Sequence, residues 1–267
     1  MKEENSITMN IGGISILLNS DNEDSLAPIN EIYSNFISND ADPTLKIEIN
    51  TWADKERLNS DLESIEVISD DDLYRIFWNS FYGEFNLNDL KGKLKCTDPR
   101  DLNNYLRVVY SLVLLKENGF LVHAASIIKN SAGFLFPGKS GTGKTTITRL
   151  STDSILLSDE ISLVKMVDGK YHVFGTPFWG ELAIAGENTH AALNHVYLPE
   201  QDKENYRKSA SFTKTLEKLI PNVLFFLDDD KLKMQLFDIC YDFANSVPAY
   251  DLHFLPDPSF WGVINEE

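Results

Sequence analysis

The spacing of the apolar positions changes in character near residue 98. Before that point, runs in which apolar and polar residues alternate are separated by turn residues, at 6–18, 44–52 and, three or four times, within 65–97. Alternation with a period of two predicts β-strands, and Gly12-Gly13 in the middle of the first run predicts a hairpin. Apolar residues at helical spacing occupy 25–38. We therefore predict a mainly antiparallel β domain with one helix over residues 1–98.

After residue 98, helix patterns and strand patterns follow each other along the chain. A broad apolar face over 101–117 predicts a helix, and the apolar run 120–129 predicts a buried strand that turns back into a second one. Further strands, a hairpin and helices are predicted at 155–157, 161–175, 194–198, 211–220, 228–246 and 249–255. The predicted fold class is α/β with an α+β mixed sheet. This sheet is predicted to form a second domain over residues 99–267.

The predicted strand that ends at Phe136 leads into a phosphate-binding signature. The residues PGKSGTGKTT place Gly138, Gly143, Lys144 and Thr145 at every required position of G-x-x-x-x-G-K-[ST]. Glycines let backbone N–H groups ring an anion, and the start of the following helix adds its positive dipole end. Lys144 supplies a point charge for the β- and γ-phosphates, and the Thr145 hydroxyl can ligate Mg²⁺. The predicted nucleotide-binding residues are Gly138, Lys139, Ser140, Gly141, Thr142, Gly143, Lys144, Thr145 and Thr146.

An acidic pair follows this loop after a short interval. Asp159 and Glu160 come at the end of the apolar run 155–157, and Asp159 lies 14 residues after Thr145. Phosphate-loop enzymes place their second acidic motif at the C-terminal end of an apolar strand. Asp159 can accept the proton of an attacking hydroxyl or ligate Mg²⁺. Glu160 should face the other way if the strand continues, and a kink would let both acids reach the metal.

Composition limits the partners and the compartment. The chain has 41 acidic and 24 basic residues and a net charge of −17, so it has no general basic surface for nucleic acid and does not suit an anionic membrane. Cys96 and Cys240 lack metal-ligand spacing and are predicted to be reduced thiols. The N-terminus lacks a signal-peptide pattern, and no apolar run reaches the length of a membrane span. We therefore predict a cytoplasmic protein without a nucleic-acid or membrane partner.

Four short stretches, in this order, resemble the HPr kinase/phosphorylase and phosphoenolpyruvate-carboxykinase-like group. They are His123-Ala124-Ala125, PGKSGTGKTT, LLSDE and GTPFWGE, and they span roughly residues 120–185. Within that group, the chain is similar to the HPr-kinase-related proteins of bacterial peptide-modification gene clusters. The first 98 residues do not match the N-terminal domain of the bifunctional HPr enzyme, and Glu160 stands where HPr kinases have Asp.

The resemblance implies a role for several side chains. It implies that Asp159 is the catalytic base and that His123 orients the γ-phosphate or tunes Asp159. It also implies that Glu181, in the GTPFWGE stretch, is a magnesium ligand beside Thr145 and Glu160. The competing interpretation of His123 is a core or surface histidine. The competing interpretation of Glu181 is an exposed acid. The small and polar residues 182–192 are a candidate lid.

These observations predict an ATP- and Mg²⁺-dependent kinase that transfers a phosphoryl group to a hydroxyl, the resemblance favouring Ser, of a protein or peptide. The predicted catalytic residues are Asp159, His123 and Lys144. The alternative is a nucleotide-dependent ATPase or regulatory switch in a peptide-modification complex, without a phosphoacceptor. GTP and pyrophosphate stay open as donors, and so does the oligomeric state.

Overall fold

A computed structural model describes residues 5–51, 62–180, 182 and 184–265 of the chain. Its contacts divide the chain into two compact units. The first contains the residues up to Val113 together with Phe225–Asp229. The second contains Leu114–Leu224 and the residues from Asp230 onward. The predicted phosphate loop and the predicted acids of the described part all lie in the second unit.

The first unit is built on a seven-stranded sheet. Its elements are β1 (Ser6–Ile11), β2 (Ile14–Ser20), α1 (Leu26–Ile32), β3 (Leu45–Thr51), β4 (Glu66–Asp70), β5 (Leu73–Trp78), β6 (Phe81–Asn86), β7 (Lys91–Cys96) and α2 (Leu102–Lys116), which continues into the second unit. The strand order is β1-β2-β3-β7-β6-β5-β4. The β2–β3 and β3–β7 pairs are parallel and the others are antiparallel, so the sheet is mixed.

Alternation along the strands gives this sheet one buried face. In β3, Leu45, Ile47 and Ile49 are buried while the intervening residues are exposed. Tyr105 of α2 packs where the sheet carries glycine: a Cβ on Gly83 would lie 2.6 Å from the Tyr105 ring. The α2 helix therefore covers the apolar face of the first unit, and the unit extends past the predicted boundary near residue 98 because this packing includes the helix.

The second unit contains eight strands and four further helices. They are β8 (Gly119–Lys129), β9 (Ala132–Pro137), α3 (Lys144–Leu150), β10 (Ile155–Ser158), β11 (Ile161–Val167), β12 (Lys170–Phe174), β13 (His190–Gln201), β14 (Tyr206–Ser209), α4 (Phe212–Leu219), α5 (Asp230–Ser246), β15 (Ala249–Phe254) and α6 (Phe260–Asn265). The observed class is therefore mixed α/β, with one mixed sheet in each unit.

Strand pairing brings the ends of three strands to one edge of this second sheet. The order is β10-β8-β11-β12-β13-β15-β14, and β9 pairs with both β8 and β13. The β9–β13 and β13–β15 pairs are parallel. Their carboxyl ends therefore point the same way, and the loop after β9 leaves the sheet at that edge. Ligands of α/β sheets bind at such edges.

An apolar cluster fixes α3 and α6 against the sheet. Its buried members are Ala125, Ile127, Phe134, Phe136, Ile147, Tyr197, Leu252, Phe254, Phe260, Trp261 and Ile264. The indole N–H of Trp261 donates to the Ser151 hydroxyl at 3.1 Å, at the end of α3. The short helix that follows the phosphate loop is thus held from both sides by aromatic packing and a hydrogen bond.

Several element boundaries differ from the predicted ones. The predicted helix over 25–38 is α1 flanked by two 3-10 turns, and β13 is longer than the predicted strand at 194–198. The helix α6 was not predicted, because its six residues show too little periodicity. The charged segment 53–63, predicted as a short helix or loop, lies outside the described residues except for its last two positions.

Both cysteines are buried and neither forms a disulfide. Burial raises the pKa of Cys96, and that of Cys240, to about 12. None of the helices in the described part of the chain has the length and apolar character that a membrane span requires.

Candidate phosphate site

The loop between β9 and α3 begins with tight glycine packing. The Gly138 N–H donates to the His123 carbonyl oxygen at 3.1 Å, which ties the start of the loop to β8. A Cβ on Gly138 would lie 2.5 Å from Thr142 Oγ1, and a Cβ on Gly143 would lie 2.5 Å from the Phe254 ring. Only glycine fits at these two positions, so the signature glycines are required by packing within the loop and against β15.

The middle of the loop is open. Gly141 has a φ of +86° and Gly143 a φ of +100°, the left-handed region that glycine adopts without strain. Nothing would lie within 4 Å of a Cβ on Gly141. Lys139 and Ser140 are exposed beside it, and Thr145 and Thr146 are half-buried at the start of α3. The predicted nucleotide-binding residues therefore form one continuous loop with an open rim.

Lys144 is turned into this loop. Its ammonium is buried and donates to the carbonyl oxygens of Gly138 at 2.8 Å and Lys139 at 3.2 Å. Burial lowers the pKa of Lys144, and the nearby charges of Glu160 and Asp159 act in the opposite direction. The lysine and the acidic pair are therefore close enough to interact electrostatically, although the chain separates them by more than a dozen residues.

The acidic pair sits at a bend. β10 ends at Ser158 and β11 begins at Ile161, so Asp159 and Glu160 form the corner between them. Asp159 is 1% exposed, whereas the Glu160 side chain is 35% exposed. The strand does not continue through these two residues, and the bend gives the two acids different surroundings.

Asp159 is occupied by backbone donors. Its Oδ1 accepts the N–H of Gly180 at 3.0 Å, and its Oδ2 accepts the N–H of Leu182 at 3.0 Å. Two charge-assisted bonds satisfy a buried carboxylate that would otherwise be costly to bury. The predicted base is thus engaged by the segment that follows β12.

Glu160 has a different neighbour on each side. Its Oε1 lies 3.3 Å from Nδ1 of His123, whose side chain is 43% exposed. A Cβ on Gly180 would lie 2.6 Å from Glu160 Cβ and 2.8 Å from its Oε2. The Glu160 side chain is therefore confined between the His123 ring and the Gly180 backbone, and the structure pairs His123 with Glu160.

We call the described residues of 176–187, which are 176–180, 182 and 184–187, the 176–187 loop, and the two ends of this loop are joined in a closed neck. The Thr176 N–H donates to the Leu157 carbonyl at 3.0 Å, and the Thr176 hydroxyl donates to the Ile161 carbonyl at 2.6 Å. The Gly186 N–H donates to the Thr176 carbonyl at 3.0 Å. A Cβ on Gly186 would overlap the Leu157 carbonyl oxygen. The Glu187 N–H donates to the Leu156 carbonyl at 2.9 Å, so this end of the predicted lid is anchored to β10, and residues 190–192 belong to β13.

A cavity of about 420 Å³ opens beside the phosphate loop. Gly138, Lys139 and Thr142 line one side, and residues Leu198–Glu200 of β13 line another. Lys214 and Lys218 of α4 are further lining residues. The volume falls in the range of small-molecule sites. His123, Lys144, Asp159 and Glu160 are not among its lining residues.

The described residues include only part of the predicted metal site. Glu181, the third predicted magnesium ligand, lies outside the described residues. Within the described part of the chain, no group of three or more His, Cys, Asp and Glu side chains could hold a metal by itself.

Sequence reasoning missed two contributors. In the sequence analysis, Gly180 and Thr176 appear only as members of the GTPFWGE stretch. Both lie in GTPFWGE, and the only local signal was the density of glycine and proline in that stretch. Their contacts, with Asp159, Glu160 and Ile161, join residues about 15 to 21 positions apart.

One comparison with known proteins matches part of the chain. A family model described as SynChlorMet cassette protein ScmC matches residues 99–198. That stretch includes the phosphate loop, the acidic pair and the 176–187 loop, and it is less than half of the 267 residues. No curated protein matches the chain. The chain is therefore similar to ScmC over these residues, which indicates a protein associated with a gene cassette.

Proposed function

We propose that this protein is an ATP- and Mg²⁺-dependent phosphotransferase of HPr-kinase-like type that phosphorylates a hydroxyl, most simply a serine, of a protein or peptide. The observation that supports it best is the convergence at Lys144. One buried ammonium lies on the carbonyl oxygens of the phosphate loop and within electrostatic reach of Glu160 and Asp159. Phosphoryl transfer needs an anion cradle, a cation and a carboxylate at one place.

The described residues fit a triphosphate and its metal. The left-handed glycines of the loop turn backbone N–H groups toward an anion, and Gly141 leaves open space there. Thr145 and Glu160 would hold Mg²⁺, an ion that is usually bound by one or two protein groups together with phosphate oxygens and water. When bound, Mg²⁺ would neutralise charge on the β- and γ-oxygens.

Strand order suggests a direction for the nucleotide. β9 lies between β8 and β13, so the loop after it has a β8 side and a β13 side. His123 and Glu160 are on the β8 side, and the cavity is on the β13 side. In this proposal the γ-phosphate lies toward Glu160, and the nucleoside lies toward the cavity. The acceptor hydroxyl then approaches from the side of His123.

The test is phosphotransfer to peptides encoded beside this protein's gene. The full chain is incubated with Mg²⁺·ATP and each peptide, and mass spectrometry measures the addition of one HPO₃ group. We expect phosphorylated serine in at least one peptide and no product with Lys144→Ala. Lys46→Ala, on an exposed strand position of the first unit, is the matched control for loss of one positive charge.

Two results would count against the kinase. Release of inorganic phosphate without any phosphorylated peptide would favour the ATPase or switch. Absence of both ATP and GTP binding by calorimetry would contradict every nucleotide-dependent function of this site.

A further inference from the structure

We propose that Asp159 is a positioning residue that tethers the 176–187 loop, and that the tethered loop holds the Glu160 carboxylate in the site. This inference rests on the proposed function and changes one role within it, because the sequence predicts Asp159 as the base. Its basis is the set of contacts made by Asp159, Gly180 and Glu160.

The first step is the engagement of both Asp159 oxygens by backbone donors. The carboxylate is 1% exposed and each oxygen accepts a backbone N–H at 3.0 Å, from Gly180 and from Leu182. An oxygen that is to accept a proton from a substrate hydroxyl needs a free lone pair directed at space that the substrate can enter. Asp159 is directed at the chain itself, so its geometry is that of a loop anchor.

The second step is the transmission from the loop to Glu160. The same Gly180 whose N–H is held by Asp159 packs on the Glu160 side chain, where a Cβ would come within 2.6 to 2.9 Å of three Glu160 atoms. His123 bounds the other side of that carboxylate at 3.3 Å. Releasing Gly180 from Asp159 removes one of the two walls that define where Glu160 points. Side chains in functional sites keep their geometry through such supports.

The third step is the specificity of the anchor for a carboxylate. An asparagine at position 159 is nearly the same size, but its NH₂ group is a donor and cannot accept an N–H. Asp159→Asn therefore loses one of the two bonds and places a donor against a donor. The neck of the loop, at Thr176 and Gly186, does not involve Asp159 and should stay closed.

The experiment measures amide hydrogen exchange by NMR in the full chain without ligand. Loss of one charge-assisted bond predicts that the Gly180 and Leu182 amides exchange about tenfold faster, or more, in Asp159→Asn than in the wild type. Glu160→Gln and Asp153→Asn should leave both amides unchanged, since Asp153 is an exposed acid paired with Lys129. Unchanged protection in Asp159→Asn would overturn the inference.

A second measurement separates positioning from catalysis, with Mg²⁺·ATP as the probe. Gly180→Ala keeps Asp159 but displaces Glu160, so it should lower kcat of ATP turnover about as much as Asp159→Asn does, with little change in KM for ATP. If Gly180→Ala keeps the wild-type kcat while Asp159→Asn loses activity, Asp159 acts directly and the inference is wrong. Failure of the wild type to turn over ATP would contradict the proposed function, and the exchange measurement would still decide the role of Asp159.

Discussion

Two glycine-containing loops of the second unit differ in one respect: the phosphate loop has a glycine in open space, Gly141, as well as packed ones, whereas both described glycines of the 176–187 loop are packed. In the phosphate loop, the central Gly141 has left-handed backbone and faces open space. In the 176–187 loop, the glycines are pressed against the protein. A Cβ on Gly186 would meet the Leu157 carbonyl, and a Cβ on Gly180 would meet Glu160.

The difference shows that the same residue type can leave space open in one loop and make close contacts in the other. In the phosphate loop, the carbonyl oxygens of Gly138 and Lys139 accept the Lys144 ammonium, and that of Lys139 also accepts the N–H and the hydroxyl of Thr142. In the 176–187 loop, the N–H groups of Gly180 and Leu182 donate to the Asp159 carboxylate, so these donors are engaged within the protein. Glycine-rich sequence alone therefore does not distinguish a loop with an open glycine from a loop whose glycines pack against the protein.

The largest expected effect compares one glycine from each loop. Gly186→Ala should lower the free energy of unfolding by about 3 kcal/mol, because the added methyl meets a backbone oxygen that cannot turn away. Gly141→Ala should cost only about 1 kcal/mol, the strain of left-handed backbone with no clash. Urea unfolding followed by circular dichroism measures both. Equal losses would show that the 176–187 loop is as open as the phosphate loop.

The next effect concerns ligand binding by the open loop. Lys144→Ala should weaken Mg²⁺·ATP binding by about tenfold to a hundredfold, the value of a charge-assisted contact to phosphate. Isothermal titration calorimetry measures the dissociation constant. Gly186 lies outside the phosphate loop, so Gly186→Ala, studied at a temperature where it is folded, should bind ATP far better than Lys144→Ala. If Gly186→Ala bound ATP more weakly than Lys144→Ala, the phosphate loop would not be the ATP site.

A smaller effect sharpens the orientation of the nucleotide along the phosphate loop. Lys218 lines the cavity on the β13 side, so Lys218→Ala should weaken ATP binding about threefold, a value typical of a partly exposed charge. Binding of inorganic tripolyphosphate should stay unchanged, since it lacks the nucleoside. Competition calorimetry with both ligands gives the two ratios. Equal weakening of ATP and tripolyphosphate binding would show that the nucleoside does not bind in this cavity.

The smallest effect is a chemical control on the intactness of both units. Burial raises the pKa of Cys96 and Cys240 to about 12, so both thiols stay protonated at pH 8 and should react slowly with a disulfide reagent. Exposure on unfolding restores an ordinary thiol pKa of about 8.5 and fast reaction. A glycine variant with one fast thiol in the absence of urea has lost its packing in the unit that contains that cysteine.

Much of this architecture could be predicted because its causes are local. Alternation in β3 and the Gly12-Gly13 turn of the first hairpin depend on neighbouring residues only, and the structure confirms both. The mixed pairing of the first sheet could not be predicted in the same way. Whether β3 pairs in parallel with β2 and β7 depends on crossovers and on the packing of α2, and no pattern within a strand encodes that choice.

The same division applies to the candidate site. The sequence by itself determined that a phosphate-loop signature ends in Lys144 and Thr145 and that two acids follow a short strand, since both are patterns of adjacent residues. Only the tertiary structure decided that Asp159 turns inward to the amides of Gly180 and Leu182 while Glu160 stays beside His123. Those partners lie about 20 to 40 positions apart, and such contacts arise only when strand pairing brings distant backbone and side chains together.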